Sequence, residues 1–219
     1  NGGNNSKYRK ALHDNQNVTL SENELNQYYL DEMEDLFFDG QYTPKGSRPT
    51  LKEKSLRELA LGRLTSEGFP NEFSFVLSIN SGGGAKFVLG YPPLIPKRNS
   101  TLFFFRVENN QLTCDSIVSN RVNDHYYRKA LFEAEQTTLS EAETKQYYLD
   151  EIEDQFFEKK YSQNGLRPKI KTTDSFLQSL GLINTNDFPD DFSFMIKLKI
   201  DNTTTFKFND DSQPVSGYI

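Results

Sequence analysis

The chain has 219 residues, of which 35% are hydrophobic and 26% charged, with a net charge of −6 and a pI near 5.1. That balance excludes a nucleic-acid or anionic-membrane binder working through a general basic face, and no apolar run approaches the ~18 residues that span a bilayer. One cysteine, Cys114, excludes an internal disulfide and any multi-cysteine zinc pattern, while 18 Phe and 11 Tyr supply an aromatic-rich core without tryptophan.

In chain order, the opening Asn1-Gly2-Gly3-Asn4-Asn5 lacks an initiator methionine and reads as a piece of something longer. Tyr8-Arg9-Lys10-Ala11-Leu12 is too short to assign. Ser21-x-x-Glu24 has the form of a capping box, and Leu25, Tyr29, Met33, Leu36 and Phe37 follow at helical spacing. The sequence therefore predicts an amphipathic helix over 22–38. Thr43-Pro44-Lys45-Gly46-Ser47-Arg48-Pro49 forbids its continuation. A shorter helix is expected over 53–64, with Leu56, Leu59, Ala60 and Leu64 on its core side. Phe73, Phe75, Leu77 and Ile79 alternate as in a half-buried strand. Ser81-Gly82-Gly83-Gly84 reads as a flexible turn into a second strand, Ala85 to Leu89. Beyond the Pro92, Pro93, Pro96 loop, Thr101–Val107 and Leu112–Val118 form a hairpin across Asn109-Asn110.

The same elements then return at one offset of about 119 residues. Tyr127–Leu131 repeats Tyr8–Leu12, Tyr147-Tyr148-Leu149-Asp150-Glu151 repeats Tyr28–Glu32, and Phe188–Phe194 repeats Phe69–Phe75. A second capping box, Ser140-x-x-Glu143, starts a helix over 141–157. A period that long marks a duplicated domain rather than a solenoid unit. The expected architecture is α+β: two homologous tandem lobes, each an amphipathic helix plus a short helix packed on an antiparallel sheet. Repeat unit 1 spans 7–120 and repeat unit 2 spans 121–219. The second unit lacks the C-terminal hairpin of the first, since Ile219 aligns with Ser100, and its sheet edge is then open. Truncation, an elaboration unique to the first copy, or a unit that begins near Phe69 would each account for this.

Parts of the chain resemble laminin-G and thrombospondin-N-terminal modules. The stretches are Phe69–Ile79, Phe103–Leu112 and Val122–Leu131, with Tyr126 or Tyr127 standing for the usual Trp. The resemblance implies an all-β jelly roll and an adhesive role. The capped helix at Ser21 conflicts with such a fold.

Charge is segregated. Residues 20–39 carry seven Asp/Glu and no Lys/Arg, and 139–158 carry seven with Lys145 alone opposing them. Acids near a helix C-terminus oppose its dipole, so Asp35 and Asp154 call for a cation. The basic segment after the helix, with Arg48, is the expected source; a basic partner protein and a bound Ca²⁺ are the alternatives, and no calcium-loop pattern is present. Arg48 and Arg167 recur within an otherwise divergent connector. Tyr28 and Tyr147, at the edge of the helical stripe, are expected to pack at the core edge, with a contact surface of the amphipathic kind found in interfaces as the alternative. Tyr28, Asp31, Asp35, Arg48, Tyr147, Asp150, Asp154 and Arg167 are thus the candidate binding residues. No catalytic residue, metal ligand or cofactor motif is assigned: His13 and His125 do not recur, and no phosphate-binding loop, nucleophile elbow or His-Glu-x-x-His occurs.

The functional expectation is a non-catalytic tandem-repeat module that binds or scaffolds protein or glycan partners, with no nucleic acid and no membrane insertion. An intracellular inhibitor or immunity-type protein with an acidic face is an alternative. Others are a laminin-G-like adhesion module and an enzyme or sensor using the carboxylates with Arg48 or Arg167. The sequons at Asn4, Asn17, Asn99 and Asn202 are candidate N-glycosylation sites, hardly more than the composition yields by chance; the expected location is extracellular or at the cell surface, with the cytoplasm as the alternative.

Overall fold

The computed structural model describes residues 2–15, 17–119, 124–162, 166–199 and 201–208, apart from the side chains of residues 2–4. They form an α+β fold of helices and a mixed β-sheet, and the chain divides into two units, Asn1–Glu143 and Thr144–Ile219. This division lies beyond the 120/121 boundary read from the offset, because residues 124–143 pack with the first unit.

In the first unit, α1 (Gly2–His13) precedes α2 (Glu22–Phe38). The capping box of α2 is complete: the Glu24 amide donates to Ser21 Oγ at 3.4 Å, and the Ser21 amide donates to the Glu24 carboxylate at 3.3 Å. The helix ends where Asp39 turns left-handed at φ 54°. Its buried side is broader than the expected stripe. Met33 and Phe37 are buried as anticipated, joined by Tyr28, Leu30 and Phe38. Helix α3 (Lys54–Leu61) buries Ala60 and Leu61, with Leu64 just beyond it. Leu56 and Leu59, expected on its core side, are 43% and 56% exposed.

Strands β1 (Ser74–Asn80), β2 (Ala85–Leu89), β3 (Ser100–Glu108) and β4 (Gln111–Ser119) pair antiparallel, close to their expected positions. After α4 (His125–Phe132) comes β5 (Thr137–Leu139), which runs parallel to β4 and gives the order β2-β1-β3-β4-β5. The sheet is therefore mixed, where an antiparallel one was expected. Three residues are too few to show a period in sequence, and the parallel direction follows from the α4 crossover. Phe75, Leu77, Phe103 and Phe105 are fully buried, and the Phe75 and Phe105 rings stack at 5.1 Å. The glycine turn is built rather than loose. Gly83 has φ +82°, a Cβ there would lie 2.0 Å from the Leu51 carbonyl oxygen, and the Leu51 amide donates to the Gly83 carbonyl at 2.8 Å.

The second unit holds all but the first turn of α5 (Glu141–Phe156), then α6 (Thr173–Leu180), β6 (Phe194–Leu198) and β7 (Thr204–Phe208). Thr172 caps α6, its hydroxyl accepting the Ser175 amide at 3.2 Å. β6 and β7 form an antiparallel pair, with no third strand beside them among the described residues. The core is Phe156, Phe157 and Ile170, with half-buried Phe176, Leu180, Ile183, Ile196 and Phe206 around it. The helices of both units replace the jelly roll implied by the laminin-G resemblance. Of that resemblance, residues 122 and 123 lie outside the described residues.

Candidate functional site

The most specific constellation gathers at the C-terminal end of α2. Asp35 sits one turn from the helix end, where the carbonyl dipole disfavours a carboxylate. The connector turns back so that Arg48 pairs with Asp35 through Nη2, and its Nη1 donates to the Gln41 carbonyl at 3.3 Å. The guanidinium carbon lies 3.9 Å from the Tyr42 ring centre and 5.5 Å from that of Phe38, the stacking geometry arginine favours over lysine. Tyr42 Oη donates to Asp35 Oδ1 at 3.3 Å. Glu34 Oε2 lies 3.9 Å from Arg48 Nε. Burial pushes the Glu34 carboxyl above its usual range, with Arg48 opposing and Asp31 adding to the rise. Burial likewise lowers the Arg48 guanidinium.

The same cluster stands at the end of α5. Arg167 pairs with Asp154, and its guanidinium carbon lies 3.7 Å from the Tyr161 ring centre and 5.5 Å from that of Phe157. Tyr161 Oη donates to Asp154 Oδ1 at 3.3 Å, and Glu153 Oε2 is 3.9 Å from Arg167 Nε. Burial raises the Glu153 carboxyl too. The two arginine side chains are 11% and 8% exposed. An arginine so enclosed, with its carboxylate and ring already engaged, clamps the connector onto the helix and offers little to a ligand. Gly165, which precedes Arg167, lies outside the described residues.

The remaining candidates separate. Asp31 pairs with Arg9 of α1 and accepts from Gln27 Nε2 at 3.1 Å, while Asp150 accepts from Gln146 Nε2 at 2.9 Å. Tyr28 is 9% exposed, and its ring stacks under His13 at 3.9 Å, so this residue of the stripe edge is covered by α1. Tyr147 is half-buried and lies 5.3 Å from the Tyr148 ring. Lys10 pairs with Glu32 at 2.6 Å. Thus the acids of α2 are answered by Arg9 and Lys10 as well as by Arg48. Sequence reasoning missed Tyr42, Tyr161, Phe38 and Phe157 in the clusters; their recurrence at the same offset was the available signal.

In the first unit a cavity of about 110 Å³ is lined by Lys54, Arg57, Asn80, Asn99, Asp124 and Tyr126, among others. It has room for a few waters. A wider depression passes over Glu32, Asp35, Asp39 and Arg63. Among the described residues no group of three or more His, Cys, Asp or Glu is placed to hold a metal, and no helix is long and apolar enough to cross a membrane. Cys114 is fully buried, which raises its thiol well above the usual range and keeps it protonated. Of the sequon asparagines, Asn17, Asn99 and Asn202 are exposed; the Asn4 side chain lies outside the described residues. Compared with known proteins, the chain matches no family model, no curated protein and no solved structure.

Proposed function

We propose that the chain is a pair of homologous tandem lobes forming a non-catalytic module that binds or scaffolds protein partners. The observation that carries this reading is the repeated arginine clamp. Among the polar groups that recur at the 119-residue offset, Asp35 pairs with Arg48 and Asp154 with Arg167, and both nearly buried arginines are engaged in holding each connector to its helix. Function is then left to exposed surface, and two linked copies of a surface gain avidity without new chemistry. A test follows from Asp35→Asn and Asp154→Asn. In variants that stay folded by proton NMR, partner binding and any turnover should be unchanged. Turnover that disappears while the fold persists would make the clamp an active site and overturn the reading.

We propose an extracellular or cell-surface location, in which the exposed Asn17, Asn99 and Asn202 would be accessible to glycosylation. Secretion from a eukaryotic host should give a product whose mass falls on treatment with an N-glycosidase; an unchanged mass counts against it. The acidic helices favour a basic partner as a second reading, and binding to a Lys/Arg-rich peptide that falls steeply with salt would select it.

A further inference from the structure

Residues 8–20 and 127–139 are the same segment twice, and the fold treats them in opposite ways. In the later copy, Tyr127 packs edge-on against Phe103 at 5.4 Å and Leu131 is fully buried. β5 then lies on β4 in the register Leu112↔Thr137, Thr113↔Thr138, Cys114↔Leu139. Thr138 Oγ1 lies 3.0 Å from Thr113 Oγ1. The Ser140 amide donates to the Cys114 carbonyl at 3.0 Å, and its hydroxyl to the Asp115 carbonyl at 2.9 Å. Glu143 accepts the Ile117 amide at 2.8 Å. The segment thus zips along the edge of a sheet and satisfies its main-chain groups.

In the earlier copy, Tyr8, Leu12, Thr19, Leu20, Ser21 and Glu24 are the identical residues. Tyr8 is 70% exposed, Leu12 43% and Val18 39%. No strand pairs with residues 18–20 among the described residues. Ser21 and Glu24 bond to one another across the exposed capping box. Helix α1 is meanwhile held on α2 by its other side, through Arg9 to Asp31, Lys10 to Glu32, and His13 stacked on Tyr28. The Tyr8–Leu12 face is therefore fixed in place and turned outward. The cap alone explains Ser21 and Glu24. It does not explain an outward Tyr–Leu pair followed by a Val-Thr-Leu stretch with no sheet neighbour among the described residues.

We infer that the Tyr8–Glu24 segment is a docking surface, and that its partner is another repeat of this same kind presenting the open edge of a β4-type strand. The inference rests on the tandem-repeat reading and names the partner it implies. The donor supplies a short parallel strand, an apolar helix face, a hydroxyl for a carbonyl and a carboxylate for an amide. The β3–β4 hairpin of a repeat has the matching row of groups, as Leu112 to Ile117 show within this chain. Main-chain pairing gives such an edge addition its affinity and the flanking side chains its selectivity. Repeats joined this way form a head-to-tail array, each sheet closed by the first helix and strand of the next.

The full-length chain tests this once its own edge is opened. Leu131→Asp with Thr138→Pro releases residues 127–139 from β4 and leaves Tyr8–Glu24 intact. This variant should associate more strongly with increasing concentration in sedimentation velocity than the unaltered chain, and Leu12→Asp added to it should weaken association by at least about tenfold. A monomeric variant whose β1–β3 amides stay protected from hydrogen exchange overturns the docking. If the variant does not fold, a transplant decides: Phe132→His, Glu133→Asp, Ala134→Asn, Glu135→Gln and Thr137→Val give residues 127–139 the sequence of the first segment, Gln136 excepted. Protection of the Thr138–Ser140 amides as in the parent supports the inference, and its loss overturns it. The outcomes also separate the two proposals. A failed transplant sinks the equivalence of the repeats, whereas a sound transplant without association sinks the docking alone.

Discussion

The two units share recurring sequence elements, and their sheets are built to different extents. Phe37 and Phe156 are both fully buried, as are Met33 and Ile152, so each long helix finds its own core. The sheets diverge. Phe75 and Leu77 are fully buried between β2 and β3, whereas their counterparts Phe194 and Ile196 are half-buried in a two-stranded sheet. Met195 and Leu198 are 41% and 42% exposed. A two-stranded hairpin is marginal alone and needs further strands or helices to close its apolar face. In the first unit β3, β4, α4 and β5 provide that closure. The long helix and its clamp thus take the same form in both units, and the sheet is the part that differs between them.

Paired substitutions at equivalent positions sharpen that contrast. The largest effect is expected at the clamps. Arg167→Met leaves Asp154, whose side chain is 6% exposed, as an uncompensated buried charge, and should cost about 3–4 kcal/mol. Arg48→Met should cost roughly half as much, because the Asp35 side chain is 36% exposed and reaches water. Urea unfolding followed separately in each unit reads the difference, and equal losses would mean that the clamps are not graded by burial. Next, Leu131→Ala should destabilise the first unit by about 3 kcal/mol, while Leu12→Ala should change it by less than about 0.5 kcal/mol. Comparable values would show that the two Tyr-Arg-Lys-Ala-Leu segments are buried alike.

Smaller effects separate the two capping serines. Ser21→Ala removes an exposed cap worth about 1 kcal/mol. Ser140→Ala removes in addition the bond to the Asp115 carbonyl, and should cost about 1 kcal/mol more. Matching melting-temperature shifts would break the distinction. The smallest expected effect concerns pH. Burial raises the carboxyls of Glu34 and Glu153 above their unfolded values, so the folded chain holds its protons more tightly. The stability this contributes is full below the ordinary glutamate range and is lost as pH rises through it to the folded value. Glu34→Gln and Glu153→Gln should therefore gain stability relative to the parent at pH 7 and show little difference at pH 4. A loss at pH 7 would mean that attraction to Arg48 or Arg167 outweighs desolvation.

The strand and helix positions were legible because local rules agree there. Ser21-x-x-Glu24 fixes a helix start through its own backbone bonds, and Phe73 to Ile79 alternate at the period of a pleated strand. Arg48 as the answer to Asp35 was also legible, since an acid near a helix C-terminus requires a cation within reach of the next connector. Tyr28 was less so. Its position at the stripe edge fitted core-edge packing, the favoured reading, as well as a partner contact, and the cover it has comes from α1, a helix whose own segment was too short to assign.

By itself the sequence determined the capped helices and the β1–β4 strands, which depend on short-range spacing and local hydrogen bonds, and it showed that Arg48 and Arg167 recur at one offset. Only the tertiary structure decided that residues 137–139 form a parallel strand, that Leu131 is core while Leu12 is surface, and that the clamps are closed. Those outcomes depend on which distant strand edge or aromatic ring stands beside a residue. Two copies of one pentapeptide with different burial show that those five residues alone do not fix it.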